Sequence, residues 1–137
     1  MLSRRIAYRS GYKYQLAEGY EGQTSIMPPT VVTTDYITLT TQGRLAIRAG
    51  YAWDGPSGPA IDTSTFMRAS LEHDALCQLV RLGLLPRVWI PQVHDQLKQT
   101  CLADGMMRVR AAWVRWAMRF ADPATRPSGE RPVRYAP

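Results

Sequence analysis

Two different periodicities divide the chain. In the first half apolar and polar positions alternate: Tyr12-Lys13-Tyr14-Gln15-Leu16 and Tyr36-Ile37-Thr38-Leu39-Thr40 combine a period of two with aromatic and β-branched residues, the pattern of strands with one buried face. Gly19 and Gly22 suggest a turn, Pro28-Pro29 interrupts any ladder, and Thr41-Gln42-Gly43 fits a hairpin turn into Arg44-Leu45-Ala46-Ile47-Arg48. The spacing predicts a small antiparallel β-meander over about residues 6–50. From Gly50 to Pro59 glycine and proline exclude regular structure, and beyond them the period changes to that of helices. Thr63 or Ser64 can cap a helix to about Leu82, with Phe66, Ala69, Ser70, His73, Leu76, Cys77 and Val80 along one stripe. Gly83 ends it. Pro91 suits the first turn of a second helix reaching about Ala103, and Gly105 separates that from a third, Met106 to Phe120. The third helix gathers Met106, Val109, Trp113, Trp116 and Phe120 on one face and Arg108, Arg115 and Arg119 on another, which reads as core with a wet edge or else as a helix lying on an anionic lipid surface or a nucleic acid. The fold class expected is therefore α+β: a β-meander, a Gly/Pro loop, then three α-helices over about 63–120, as a single domain at 1–121. Residues 122–137, with four prolines and no apolar period, read as an extended Pro/Arg-rich tail.

Composition adds limits. A chain of 137 residues that is 45% hydrophobic can bury a core without disulfides or a structural metal. Cys77 and Cys101 lack CxxC spacing and read as free buried thiols in a reducing compartment. No apolar run reaches transmembrane length and the N-terminus lacks a signal-peptide core, so synthesis in a cytoplasm is expected. The net charge of +6 is unevenly spread: residues 1–13 hold four basic residues and no acid, and residues 105–137 hold seven arginines against Asp122 and Glu130, so the middle is acidic. Basic termini suit the phosphates of nucleic acid or of anionic membrane lipid, or an acidic protein neighbour, and equally a solvated surface that aids solubility.

The chain's two histidines each precede an aspartate on a predicted helix, as His73-Asp74 and His94-Asp95. A short connection makes these helices antiparallel neighbours, so a carboxylate on the second can reach an imidazole on the first. In that arrangement His73 is a general base, oriented by Asp95. Asp74, about 100° further round the helix, can face a cation site with Asp54 and the carbonyls of the loop containing Gly55, Ser57 and Gly58. A Ca²⁺ ion there would polarise an ester carbonyl and stabilise its oxyanion. Simpler readings stand beside this one: His73 as a core histidine bonded to Asp95, Asp54 as a turn residue, and His94, which shares a face with Ile90, Leu97 and Cys101, as structural. A zinc site on His73, His94 and a carboxylate has no recognised ligand spacing, and Ser57 lacks the G-x-S-x-G elbow of a nucleophile.

The run Trp53-Asp54-Gly55-Pro56-Ser57-Gly58-Pro59, the helix Phe66-Met67-Arg68-Ala69-Ser70-Leu71-Glu72-His73-Asp74-Ala75-Leu76 and the later Asp95 together resemble a small family of unknown function common in bacteriophages and prophages, with the pattern D-G-x-S-x-P, an H-D pair and a following Asp. The resemblance covers about residues 44–120. It implies a phage context: host cytoplasm when synthesised, then the virion, with other virion proteins as partners. A weaker similarity is to the prokaryotic and fungal phospholipases A2, and it implies His73 as base, Asp74 as calcium ligand and Asp95 as the orienting carboxylate. Pro56 and Ser70 stand where that family has cysteines, and Cys77 where it has a tyrosine. Two functions follow as expectations: a phage accessory protein hydrolysing host envelope lipid, or a non-catalytic head, neck or tail component whose His-Asp cluster is a polar network.

Overall fold

The computed structural model describes residues 8–9, 14–53 and 64–118, and the α+β class holds: antiparallel strands followed by three helices. The strands belong to one compact unit and the helices to another, divided at Gly55/Pro56, where the sequence pattern alone suggests one domain. The tail at 122–137 lies outside the described residues.

In the first unit the alternation produces strands but not one meander. Among the described residues there are two sheets. β1 (Tyr8–Arg9), β2 (Tyr14–Leu16) and β7 (Ala52–Trp53) form the first, in the order β1-β2-β7. β3 (Tyr20–Gln23), β4 (Val32–Thr33), β5 (Ile37–Leu39) and β6 (Arg44–Ile47) form the second, ordered β3-β6-β5-β4. β3 pairs with β6 rather than with its sequence neighbour, because Pro28-Pro29 breaks the chain between β3 and β4. Register puts Ile37 opposite Ile47, Leu39 opposite Leu45 and Tyr20 opposite Ile47, all buried, so a period of two yields one apolar face. On the other face Arg44 Nε donates to Glu21 Oε1 at 2.6 Å. The predicted hairpin is present between β5 and β6. Gly43 adopts φ +84° in its turn, and its carbonyl accepts from both Thr24 N and Thr24 Oγ1 at 2.8 Å.

In the second unit α1 spans Ser64–Arg81, α2 Ile90–Ala103 and α3 Arg108–Ala117. Gly83, at φ +75°, ends α1: its N–H donates to Val80 O and Leu84 N–H to Leu79 O, the left-handed stop expected of a glycine there. A short 3₁₀ turn, Arg87–Trp89, leads into α2, whose first turn contains Pro91. α1 is buried on far more of its circumference than the predicted stripe; Leu71, Glu72, Asp74, Ala75 and Leu79 are buried as well. The third helix departs from expectation. Its buried residues are Ala111 and Val114, packed with Phe66, Ala69, Leu97, Cys101 and Met106, while Val109, Trp113 and Trp116 are 82%, 44% and 50% exposed. Small side chains let α3 approach α2 closely, and the aromatic face is left outward.

Gly43 and Gly83 differ in surroundings, and so in predicted cost. A Cβ on Gly43 collides with the Thr24 carbonyl, whereas one on Gly83 meets nothing within 4 Å. Gly83→Ala should cost only the left-handed backbone, about 1 kcal/mol. Gly43→Ala must also move the Thr24 carbonyl, and a loss of about 3 kcal/mol in urea denaturation is expected.

Candidate functional site

The antiparallel α1 and α2 are tied by three sets of polar side chains. Arg68, near the start of α1, makes a two-pronged bond to Asp104 at the end of α2, with Nε to Oδ2 and Nη2 to Oδ1 both at 2.9 Å. One turn along, Glu72 is 1% exposed; its Oε1 accepts from Thr100 Oγ1 at 2.6 Å, Gln96 Nε2 donates to the same hydroxyl at 3.2 Å, and Arg68 Nη1 lies 3.7 Å from Oε2. Among the described residues every buried side-chain nitrogen and oxygen has a hydrogen-bond partner.

His73 is next on α1. Its Nε2 lies 3.0 Å from His94 Nδ1, across the seam. The ring planes are 24° from parallel and the centroids 5.2 Å apart. Subtracting the 3.0 Å contact from 5.2 Å leaves about 2.2 Å, two imidazole radii at ordinary bond lengths. The N···N contact therefore lies along the line between ring centres: the rings meet edge to edge, lone-pair direction against lone-pair direction. A single proton fits between them, with one ring donating and the other accepting. Two ligands of one metal would instead aim at a point beside that line. Correspondingly, among the described residues no group of three or more His, Cys, Asp or Glu is placed to hold a metal ion.

The other His73 nitrogen, Nδ1, faces Asp74 Oδ1 at 3.9 Å, and Cys77 Sγ lies 3.7 Å from both ring nitrogens. Burial acts to lower the His73 pKa, but negative charge at Cys77 and Asp74 and their hydrogen bonding outweigh it and raise it from 6.5 to about 10. Cys77 and Cys101 are free and buried, as the sequence predicts; burial, with Asp104, pushes the Cys101 thiol up to about 12, which leaves it inert.

Asp95 is elsewhere. The sequence pattern aims it at His73, yet its side chain is 54% exposed and its Oδ1 accepts from Arg115 Nε on α3 at 2.6 Å. One residue is about 100° of helix, so when His94 faces α1 Asp95 must face away. His94, expected to be structural, thus holds the place assigned to the orienting carboxylate. Asp74 is buried beside His73, whereas Asp54, Gly55, Ser57 and Gly58 lie outside the described residues. The sequence reading also missed Glu72, Gln96, Thr100 and the Arg68–Asp104 pair. Their one signal is polar residues four apart on facing helices, Arg68 with Glu72 and Gln96 with Thr100. No family model, curated protein or solved structure matches the chain.

A group whose folded pKa is raised contributes stability that is full below its unfolded value and lost as pH rises through the folded one. Between pH 6.5 and about 10 the parent protein should therefore lose stability relative to His73→Gln, by several kcal/mol at about 1.4 kcal/mol per unit of raised pKa, in parallel urea titrations of the two.

Proposed function

We propose that the chain is a non-catalytic assembly component, of the kind that builds the head, neck or tail of a bacteriophage particle, and that its His-Asp cluster locks two helices together. One observation carries this reading: both His73 nitrogens face protein groups, Nε2 toward His94 and Nδ1 toward Asp74, with Cys77 Sγ 3.7 Å from each, which leaves neither to take a proton from water. The raised pKa adds to it, since an imidazole that keeps its proton at neutral pH is a poor base. The phage setting rests on the resemblance of the D-G-x-S-x-P loop and H-D helix. Other virion proteins are the partners proposed, and the basic C-terminal region suits an acidic neighbour.

Calcium-dependent ester hydrolysis is the second reading, favoured by the place of Asp74 beside His73. It receives less support, because it asks for a carboxylate behind His73 where His94 stands.

The two readings separate in one pair of experiments. The purified chain, assayed on phospholipid vesicles with and without Ca²⁺, should give no turnover above buffer, and the chain should be found in intact purified particles of its phage. Calcium-dependent turnover that disappears in His73→Ala and in Asp74→Asn would replace the assembly reading with the hydrolase.

A further inference from the structure

We propose that the helical unit carries a docking surface for an anionic lipid interface, formed by the outer face of α3 and the connection between α1 and α2. Val109, Trp113 and Trp116 recur at i, i+4 and i+7, so they make one exposed stripe opposite the buried Ala111 and Val114. The connection exposes Leu82, Leu84 and Val88. Of the α3 stripe, the C-terminal half with Trp113 and Trp116 comes back toward this connection. The chain leaves α2 with Met106 N–H bonded to Cys101 O and returns so that Arg115 meets Asp95, near the start of α2; α3 is thus antiparallel to α2, and its C-terminal half runs back toward the α1–α2 connection.

Charge identifies the occupant. From Ala75 to His94 and from Gly105 to Ala121 the sequence contains no acid, while Arg81 and Arg87 flank the apolar connection and Arg108 and Arg110 flank the apolar stripe. Arg115 is neutralised by Asp95. A second copy of the chain would set arginines against arginines across such a face. Nucleic acid would engage the arginines and stack on the tryptophans, but it offers nothing to bury Leu82, Leu84, Val88 and Val109, since its charge lies in phosphates and its apolar contacts in base faces. An anionic bilayer surface accommodates all three kinds of side chain: aliphatics enter the acyl boundary, tryptophans sit at headgroup level, and arginines extend to the lipid phosphates. Among the described residues no helix is long and apolar enough to cross a membrane, and α3 would lie in the interface plane. This surface is separate from the His73 cluster and does not depend on what that cluster does.

The test is co-sedimentation of the full chain with vesicles of phosphatidylcholine alone and of phosphatidylcholine mixed with phosphatidylglycerol. Binding is expected to the mixed vesicles only and to weaken with added salt. The pair Trp113→Ser, Trp116→Ser and, separately, the pair Leu82→Gln, Val88→Gln should each weaken it about tenfold or more, and Arg87→Gln with Arg108→Gln should do likewise. Circular dichroism of each variant reports folding, and because the two apolar pairs lie on different segments, loss of fold in one leaves the other decisive. Absence of binding to the mixed vesicles overturns the proposal. So does binding that neither apolar pair weakens, which is adsorption by charge alone, and so does a preference for double-stranded DNA over the mixed vesicles.

Discussion

The carboxylate of Glu72, buried between two helices, sets the terms for the helical unit. Removing a charge from water costs several kcal/mol unless hydrogen bonds replace the lost solvent. Thr100 Oγ1 supplies one at 2.6 Å, oriented in turn by Gln96, and Arg68 brings positive charge to within 3.7 Å. Apolar packing is tolerant of sliding; this arrangement is not. A shift of α1 along α2 by one residue would take Glu72 from Thr100 and Arg68 from Asp104 together, so the polar groups fix a register that Leu71, Leu76 and Leu97 alone would leave loosely defined.

The same seam brings His73 and His94 together. The two imidazoles reach along the helix axes to meet, since His94 lies nearly two turns before Thr100 on α2 while His73 directly follows Glu72 on α1. Two imidazoles edge to edge can share one proton, and a second would put N–H against N–H. Asp74 beside Nδ1 and Cys77 Sγ, 3.7 Å from both ring nitrogens, raise the His73 pKa and bias the shared proton to that ring. The chemistry available is accordingly that of a proton held in place, and it closes the seam with the same economy of partners as Glu72.

Much of this fold was legible in the chain, and the gaps have identifiable causes. Alternation in Ile37-Thr38-Leu39 and Arg44-Leu45-Ala46-Ile47 locates a hairpin, and Gly83 and Gly105 mark the helix ends, because these are local signals. Pro28-Pro29 marks locally that β3 and β4 do not pair, but that β3 pairs instead with β6 is a long-range choice that no local pattern encodes. On α3 the period of 3.6 is correctly read but its sign is not: the helix has two apolar faces, and the smaller side chains, Ala111 and Val114, win the buried position because they allow a close approach. At the site, adjacent His and Asp on α2 invite either to be aimed at α1. Only the helical phase decides between them, and an error of one residue exchanges an acid for an imidazole.

The central claim is that His73 is bonded through Nε2 to His94 rather than holding a nitrogen free for chemistry. Nitrogen-15 NMR of histidine-labelled protein tests it most directly, since ring-nitrogen shifts report which nitrogens carry or share a proton. His73 Nε2 and His94 Nδ1 should show shared-proton shifts, and His73 should keep its proton well above pH 6.5. A His73 ring with one bare nitrogen at neutral pH, titrating at the ordinary imidazole value independently of a His94→Gln change, would contradict it.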